Sequence, residues 1–192
     1  LREIVRKCTE NGVKLVVDEC FNDFLTDAER HTRKDLLESN PGLIILRAYT
    51  KMYAVPGVRF GWCMTADAAL IEKLYHAGQP WNVSVIAQAC AAAAANEPDW
   101  AAETAKRIAE ERKFLSDGLA ACGLTVFPGE ANFLLFRSND TGLHEKLAEH
   151  GIMIRNCDNY RGLSAGYYRV AVKTREASKC LLNAIKLIIE NG

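Results

Sequence analysis

The sequence predicts an α/β fold: a mostly parallel sheet layer with helices, followed by a smaller α+β domain. Three observations carry this expectation. Short apolar runs, KLVVD and LIILRAY, alternate with segments whose apolar residues recur at helical spacing. A long helical stretch beginning at Pro98 is followed by a different rhythm of strand, strand, helix, strand, strand, helix. The chain has 192 residues, 49% of them hydrophobic and 25% charged, enough to bury a sizeable core in one or two domains.

The elements follow in order. Residues 1–11 form a helix with Leu1, Ile4, Val5 and Cys8 at helical spacing, and Gly12 stops it. A strand over 13–17 leads into an irregular, partly helical stretch. The next strand, 43–49, is rich in leucine and isoleucine, as expected of a strand covered on both faces. In the loop YTKMYAVPGVRFGW, Pro56 and Gly57 prevent a helix and make a tight turn. The strand FGWCM, a helix from Asp67 to Ala77, a break over 79–82 and a helix from Ser84 to Ala95 come next. Pro98 and Asp99 open a long helix to Ala121. Beyond it lie strands at 124–127 and 132–137, a helix at 142–150, strands at 151–155 and 167–172, and a final helix at 175–190. Ala177, Leu181, Ala184 and Ile188 give that helix its buried stripe. The boundary falls near Pro98, which makes the domains 1–98 and 99–192. No repeat, low-complexity tract or Ser/Gly-rich linker is present.

Composition excludes several classes. The 24 basic and 24 acidic residues cancel, so nothing advertises nucleic acid or an anionic membrane. The apolar stretch 83–95 is too short to span a bilayer. LREIVRKC reads as a helix and not as a secretory leader. The seven cysteines (8, 20, 63, 90, 122, 157 and 180) are scattered, form no C-x-x-C pair, and suit reduced thiols in the cytoplasm. The four histidines lack metal-ligand spacing, so no metal is expected, and neither a dinucleotide fingerprint nor a P-loop appears.

The chemistry concentrates at two strand ends. Lys51 emerges from the carboxyl end of an apolar strand, where open α/β sheets bind their ligands, and Arg59 can fold back toward it. A lysine amine forms a Schiff base with an aldehyde cofactor, and an arginine holds a phosphate. A solvated strand end is the plain alternative for any single lysine. KLVVDECFNDF adds Asp18 at the end of another strand, and Glu19 points elsewhere. For pyridoxal phosphate (PLP), a carboxylate keeps the ring nitrogen protonated so that the ring accepts electrons. At roughly 4 Å and an effective dielectric near 20 the attraction is about 4 kcal/mol, or about three pKa units, which suffices at neutral pH. A cap after the strand is the other reading of Asp18.

With these residues the chain resembles the C-terminal half of a fold-type-I PLP enzyme of the aminotransferase class I/II group, which includes threonine-phosphate decarboxylase and histidinol-phosphate aminotransferase. PWNVSVIAQ, FPGEANFLLFR and IRNCDNYRGLSAGYYRVAV extend the likeness over nearly the whole sequence. The resemblance implies the C-terminal part of the PLP-binding large domain over 1–98 and the small domain over 99–192. It makes Lys51 the Schiff-base lysine, Asp18 the pyridinium partner, and Thr50 and Arg59 ligands of the cofactor phosphate. Arg169 lies inside the strand YYRVAV, where a charge needs a partner. The family places the substrate α-carboxylate there, while an internal salt bridge to a glutamate is the alternative. Arg155 resembles the arginine that binds a distal substrate phosphate. Asn132 resembles a loop asparagine near the substrate, and a turn-former is its other reading.

Phe21 stands where many aminotransferases carry a tyrosine, and a phenyl ring cannot donate a hydrogen bond to the cofactor's phenolic oxygen. The departure resembles the decarboxylase subgroup; simple packing is the alternative. The resemblance therefore implies decarboxylation of L-threonine O-3-phosphate to aminopropanol phosphate, a building block of cobalamin. An aminotransferase of the histidinol-phosphate type and a non-catalytic aminotransferase-like module are the alternatives. The family's earlier residues, with the phosphate loop and the ring-stacking aromatic, have no counterpart here, so the chain is expected to hold PLP weakly and to show little activity alone. A homodimer acting on a small phosphorylated amino acid is expected of the whole protein.

Overall fold

Helix α1 (Arg2–Glu10) opens the chain in the computed structural model, which describes residues 1–190, and buries Val5. Gly12 follows at φ +65°, a left-handed turn that glycine adopts without strain and that aims the chain into β1 (Leu15–Asp18). The connection from β1 to β2 (Leu43–Ala48) contains 3-10 turns at Asn22–Phe24 and Lys34–Leu36 and the short helix α2 (Ala28–His31). The two strands pair in parallel, with Leu15 opposite Leu43 and Asp18 opposite Leu46. Val5, Leu43 and Ile45 form the buried core beneath them.

Strand β3 (Gly61–Met64) runs antiparallel to β2, with Ile45 opposite Met64, so the expected parallel pairing holds for β1 and β2 and gives way to an antiparallel pair at β3. The reason is local. A parallel return needs a crossover, usually a helix, whereas residues 49–60 carry only a 3-10 turn at Pro56–Val58, so the chain reverses. The sheet order is β1-β2-β3. Helix α3 (Ala68–Ala77) is capped by Asp67, whose carboxylate accepts from Leu70 N, and α4 (Val85–Ala95) by Ser84, which accepts from Ala87 N. Each side chain satisfies a backbone donor that the first helical turn leaves free.

Helix α5 (Pro98–Ala121) has the bounds its opening Pro-Asp pair announces. The chain divides into two compact units within it, Leu1–Glu103 and a second from Thr104 onward, where the sequence places the boundary near Pro98. In the second unit, strands β4 (Thr125–Val126) and β5 (Phe133–Arg137) are followed by α6 (Leu143–Glu149). Strands β6 (Arg155–Asn156) and β7 (Tyr167–Ala171) and helix α7 (Arg175–Glu190) complete it. The strand order is β4-β5-β7-β6, antiparallel throughout.

The strand expected at 151–155 is shorter and later. Gly151, at φ +73°, completes the turn after α6, and residues 152–154 run toward the sheet before ladder pairing begins at Arg155. Ile152 and Ile154 still pack on the core while Met153 faces solvent. That core gathers Leu115, Leu119, Phe136, Leu143, Leu147, Tyr168 and Ile185. On α7 the buried positions are Ser178, Leu181, Leu182, Ala184 and Ile185, with Ala177 and Ile188 only half-buried, so the stripe is broader than the expected one and centred differently. Among the described residues no helix is long and apolar enough to cross a membrane.

Candidate active site

The parallel pairing of β1 and β2 brings the carboxyl ends of both strands to one edge, where such sheets receive ligands. The ladder ends as Glu19 N donates to Leu46 O at 2.9 Å, leaving Asp18 at the rim. Asp18 Oδ1 accepts from Cys20 N at 2.9 Å. Hydrogen bonding from the Cys20 side chain, and then from its backbone, holds the Asp18 carboxyl below the usual carboxylate range. Burial, and next the Asp18 carboxylate, push the Cys20 thiol up to about 11, while the Lys51 ammonium pulls it the other way. Cys20 thus feels both charges from one place.

Lys51 is exposed just beyond β2, and its Nζ lies 5.7 Å from the centroid of the Phe21 ring. No carboxylate forms an ion pair with it among the described residues. Thr50 beside it is buried. The loop is framed by an aromatic cluster in which Tyr49 meets Tyr53 at 4.9 Å, Trp62 at 4.7 Å and Phe60 at 5.9 Å between centroids. Ala54 and Arg59 take left-handed φ values of 52° and 58°, conformations that a non-glycine residue holds only when its surroundings impose them. Arg59 folds back as the sequence suggests, but its Nη1 donates to Pro56 O at 3.0 Å and its side chain stays exposed.

Sequence reasoning passed over Arg47. Its side chain is 13% exposed; Nε donates to Glu19 at 3.2 Å and Nη1 to Asp23 at 2.6 Å, while Nη2 pairs with the same Glu19 oxygen at 3.1 Å. Glu19, expected to point elsewhere, turns into this buried network and also accepts from the Thr32 hydroxyl and Arg33 N, each at 2.8 Å. The available signal was an arginine inside the apolar run LIILRAY, the same reasoning that singled out Arg169.

The remaining candidates lie in the second unit. Arg155 on β6 and Arg169 on β7 are direct cross-strand partners. The Arg155 guanidinium lies 5.8 Å from the Tyr160 ring centroid and that of Arg169 lies 5.0 Å from Phe133. Neither forms an ion pair with a carboxylate among the described residues, so the internal salt bridge weighed for Arg169 is replaced by a ring. Like charges directly opposite each other are unfavourable, and an anion between or before them relieves the repulsion. Asn132 precedes β5; its backbone carbonyl accepts from Val172 N at 2.8 Å, and its buried Oδ1 has no partner.

The structure therefore gathers Asp18, Thr50, Lys51 and Arg59 at one sheet edge and its loop, and Arg155 and Arg169 on one sheet of the other unit. The first group suits PLP. An exposed amine free of carboxylate partners, a carboxylate kept ionised at the neighbouring strand end, an adjacent ring, and a hydroxyl and guanidinium in the loop match an aromatic aldehyde that carries a phosphate and a basic ring nitrogen.

An α/β sheet with such a rim defines a class of PLP enzyme, and comparison gives the family. The sequence pattern of aminotransferase class I and II matches residues 1–185, and the chain belongs to that family of PLP-dependent enzymes. It is 33% identical over 192 residues to threonine-phosphate decarboxylase of Salmonella typhimurium, covering 98% of this chain and 52% of that protein. It is 32% identical over 188 residues to histidinol-phosphate aminotransferase 2 of Archaeoglobus fulgidus, covering 97% and 53%. The crystal structure of histidinol-phosphate aminotransferase from Clostridium acetobutylicum superposes with a TM-score of 0.94 at 28% identity, covering all of this chain and 58% of that one. The chain spans about half the length of the curated relatives it matches.

Proposed function

We propose that the protein carrying this chain is a PLP-dependent decarboxylase of L-threonine O-3-phosphate, producing aminopropanol phosphate for cobalamin synthesis. The observation that carries this reading is Phe21. Its ring occupies the space beside the Lys51 amine and offers no hydrogen bond to a cofactor oxygen. The 33% identity to a threonine-phosphate decarboxylase supports it.

Bound PLP supplies an electron sink for the bond broken at the substrate's Cα. In this reading Lys51 would hold the cofactor through its Nζ, and its amine would supply a proton at the substrate's Cα. Asp18 would pair with the ring nitrogen through its ionised carboxylate and keep a proton there. Thr50 and Arg59 take the cofactor phosphate. Arg169 receives the α-carboxylate and Arg155 the distal phosphate, two anions for two opposed cations. Asn132 turns its unpartnered Oδ1 to a substrate donor. The residues 1–98 and 99–192 act as the C-terminal part of a PLP-binding large domain and a small domain. The working protein is a cytoplasmic homodimer.

A second reading, an aminotransferase of the histidinol-phosphate type, is favoured by the 0.94 superposition and the 32% relative. A non-catalytic module is disfavoured by the joint presence of Lys51, Asp18 and Arg59. The native protein, offered threonine phosphate alone and histidinol phosphate with 2-oxoglutarate, separates these. Carbon dioxide from the first supports the decarboxylase, glutamate from the second the aminotransferase, and silence in both the non-catalytic module.

A further inference from the structure

We propose that Arg47 is a positioning residue, which clamps the turn that follows Asp18 and carries Phe21 against the strand that delivers Lys51. The inference rests on the reading of Lys51 and Asp18 as cofactor residues. Strand β2 carries Arg47 near its end and leads directly to Lys51, while β1 ends at Asp18 and gives way to an irregular turn. Past Glu19 that turn leaves the sheet ladder; its backbone bonds, Asn22 N to Glu19 O and Phe24 N to Phe21 O among them, are internal to it, so side chains tie it to β2. One guanidinium does so at two points, Glu19 and Asp23, which bracket Phe21 in sequence. Glu19 passes the constraint on to Thr32 and Arg33, and the Asn22 side-chain amide, itself buried, donates to Ala28 O at 2.9 Å. The whole excursion from β1 to α2 is thereby referred to a single residue of β2.

The chemistry argues for position over bulk stability. Two acids share one cation in a largely buried setting, so their desolvation offsets much of the attraction, and an apolar trio of similar volume would hold the fold at least as well. A forked guanidinium instead sets direction: its two hydrogen bonds and the further Nη2 contact to Glu19 fix the plane in which Glu19 and Asp23 sit, and with it where the Phe21 ring stands relative to the Lys51 amine. Lysine in its place keeps the charge and loses the fork.

Reductive methylation with 13C-formaldehyde makes every lysine visible by NMR, with Lys51→Arg assigning the signal of Lys51. In the unaltered chain the Lys51 methyls are expected upfield of the other lysines, shifted by the Phe21 ring, and Phe21→Leu removes the displacement. Arg47→Met is expected to lose more than half of it in molecules that remain folded by their Leu and Val methyl dispersion, and Arg47→Lys to restore part. If Arg47→Met does not fold, Arg47→Lys and Asp23→Asn carry the comparison. A Lys51 signal unchanged in the folded variants overturns the proposal. Trapping of PLP on another lysine sinks the cofactor reading instead and leaves the NMR result standing, so the two failures are distinguishable.

Discussion

The Lys51 ammonium stands 5.7 Å from the centroid of the Phe21 ring, joining the ends of two parallel strands through a cation and a π-face. An exposed contact of this kind contributes roughly 0.5–1 kcal/mol. Phe21→Leu is therefore expected to lower stability by no more than about 1 kcal/mol in urea denaturation. A loss of several kcal/mol would place Phe21 in the core and not at a site.

Cys20 gives a chemical probe of the same corner. Its thiol, pushed to about 11 chiefly by burial and then by Asp18, is protonated at neutral pH. Peptide-mapped alkylation at pH 8 should modify the exposed Cys180 well before Cys20. Above the ordinary 9.0 the unfolded thiol loses its proton before the folded one, so stability falls as pH rises from 9.0 toward about 11. Cys20→Ser should flatten that limb.

Asp18 and Asp23 act in opposite directions in acid. The carboxyl of Asp18 is lowered, so its contribution is present above 3.8 and disappears as pH falls through its folded value. That of Asp23 is raised, first by burial and against the pull of Arg47, so it binds its proton more readily when folded, and stability falls as pH rises from 3.8 through the raised value. In urea titrations across the acid range, Asp18→Asn is expected to make the loss of stability below 3.8 shallower, and Asp23→Asn to remove its share of the fall as pH rises above 3.8.

The opposed arginines separate binding from folding. Removing one relieves a like-charge contact, which favours the variant by about 0.2–1 kcal/mol, and loses the Phe133 contact, which opposes it by a similar amount. Inorganic phosphate is expected to protect the chain thermally; Arg169→Leu should then change stability by less than about 0.5 kcal/mol, yet abolish that protection. Equal protection in both would remove Arg169 from the anion site.

Packing in the second unit is tested at Phe136, which is fully buried. Phe136→Ala is expected to cost about 3–5 kcal/mol, and Ile185→Val only about 0.5–1.5 kcal/mol, by urea denaturation.

Local signals were legible and pairing was not. Helices α5 and α7 have the bounds read from Pro98-Asp99 and from the final helical run, and Asp67 and Ser84 cap the helices they were expected to begin, because these signals act within one or two turns. The direction of β3 follows from the short connection over 49–60, and the length of β6 from its ladder with β7, neither of which periodicity encodes. At the candidate site, Asp18 and Lys51 stood out because each ends an apolar run. The Arg47 network did not, since it joins acids at 19 and 23 to a base brought near only by strand pairing. The confrontation of Arg155 with Arg169 likewise arises from register.

The most direct measurement is to reduce the native, PLP-loaded protein with borohydride and map the phosphopyridoxyl group by mass spectrometry. The label is expected on Lys51, with Lys51→Ala losing both it and the visible absorbance band. A label on any other lysine, or a band that survives Lys51→Ala, would contradict the account.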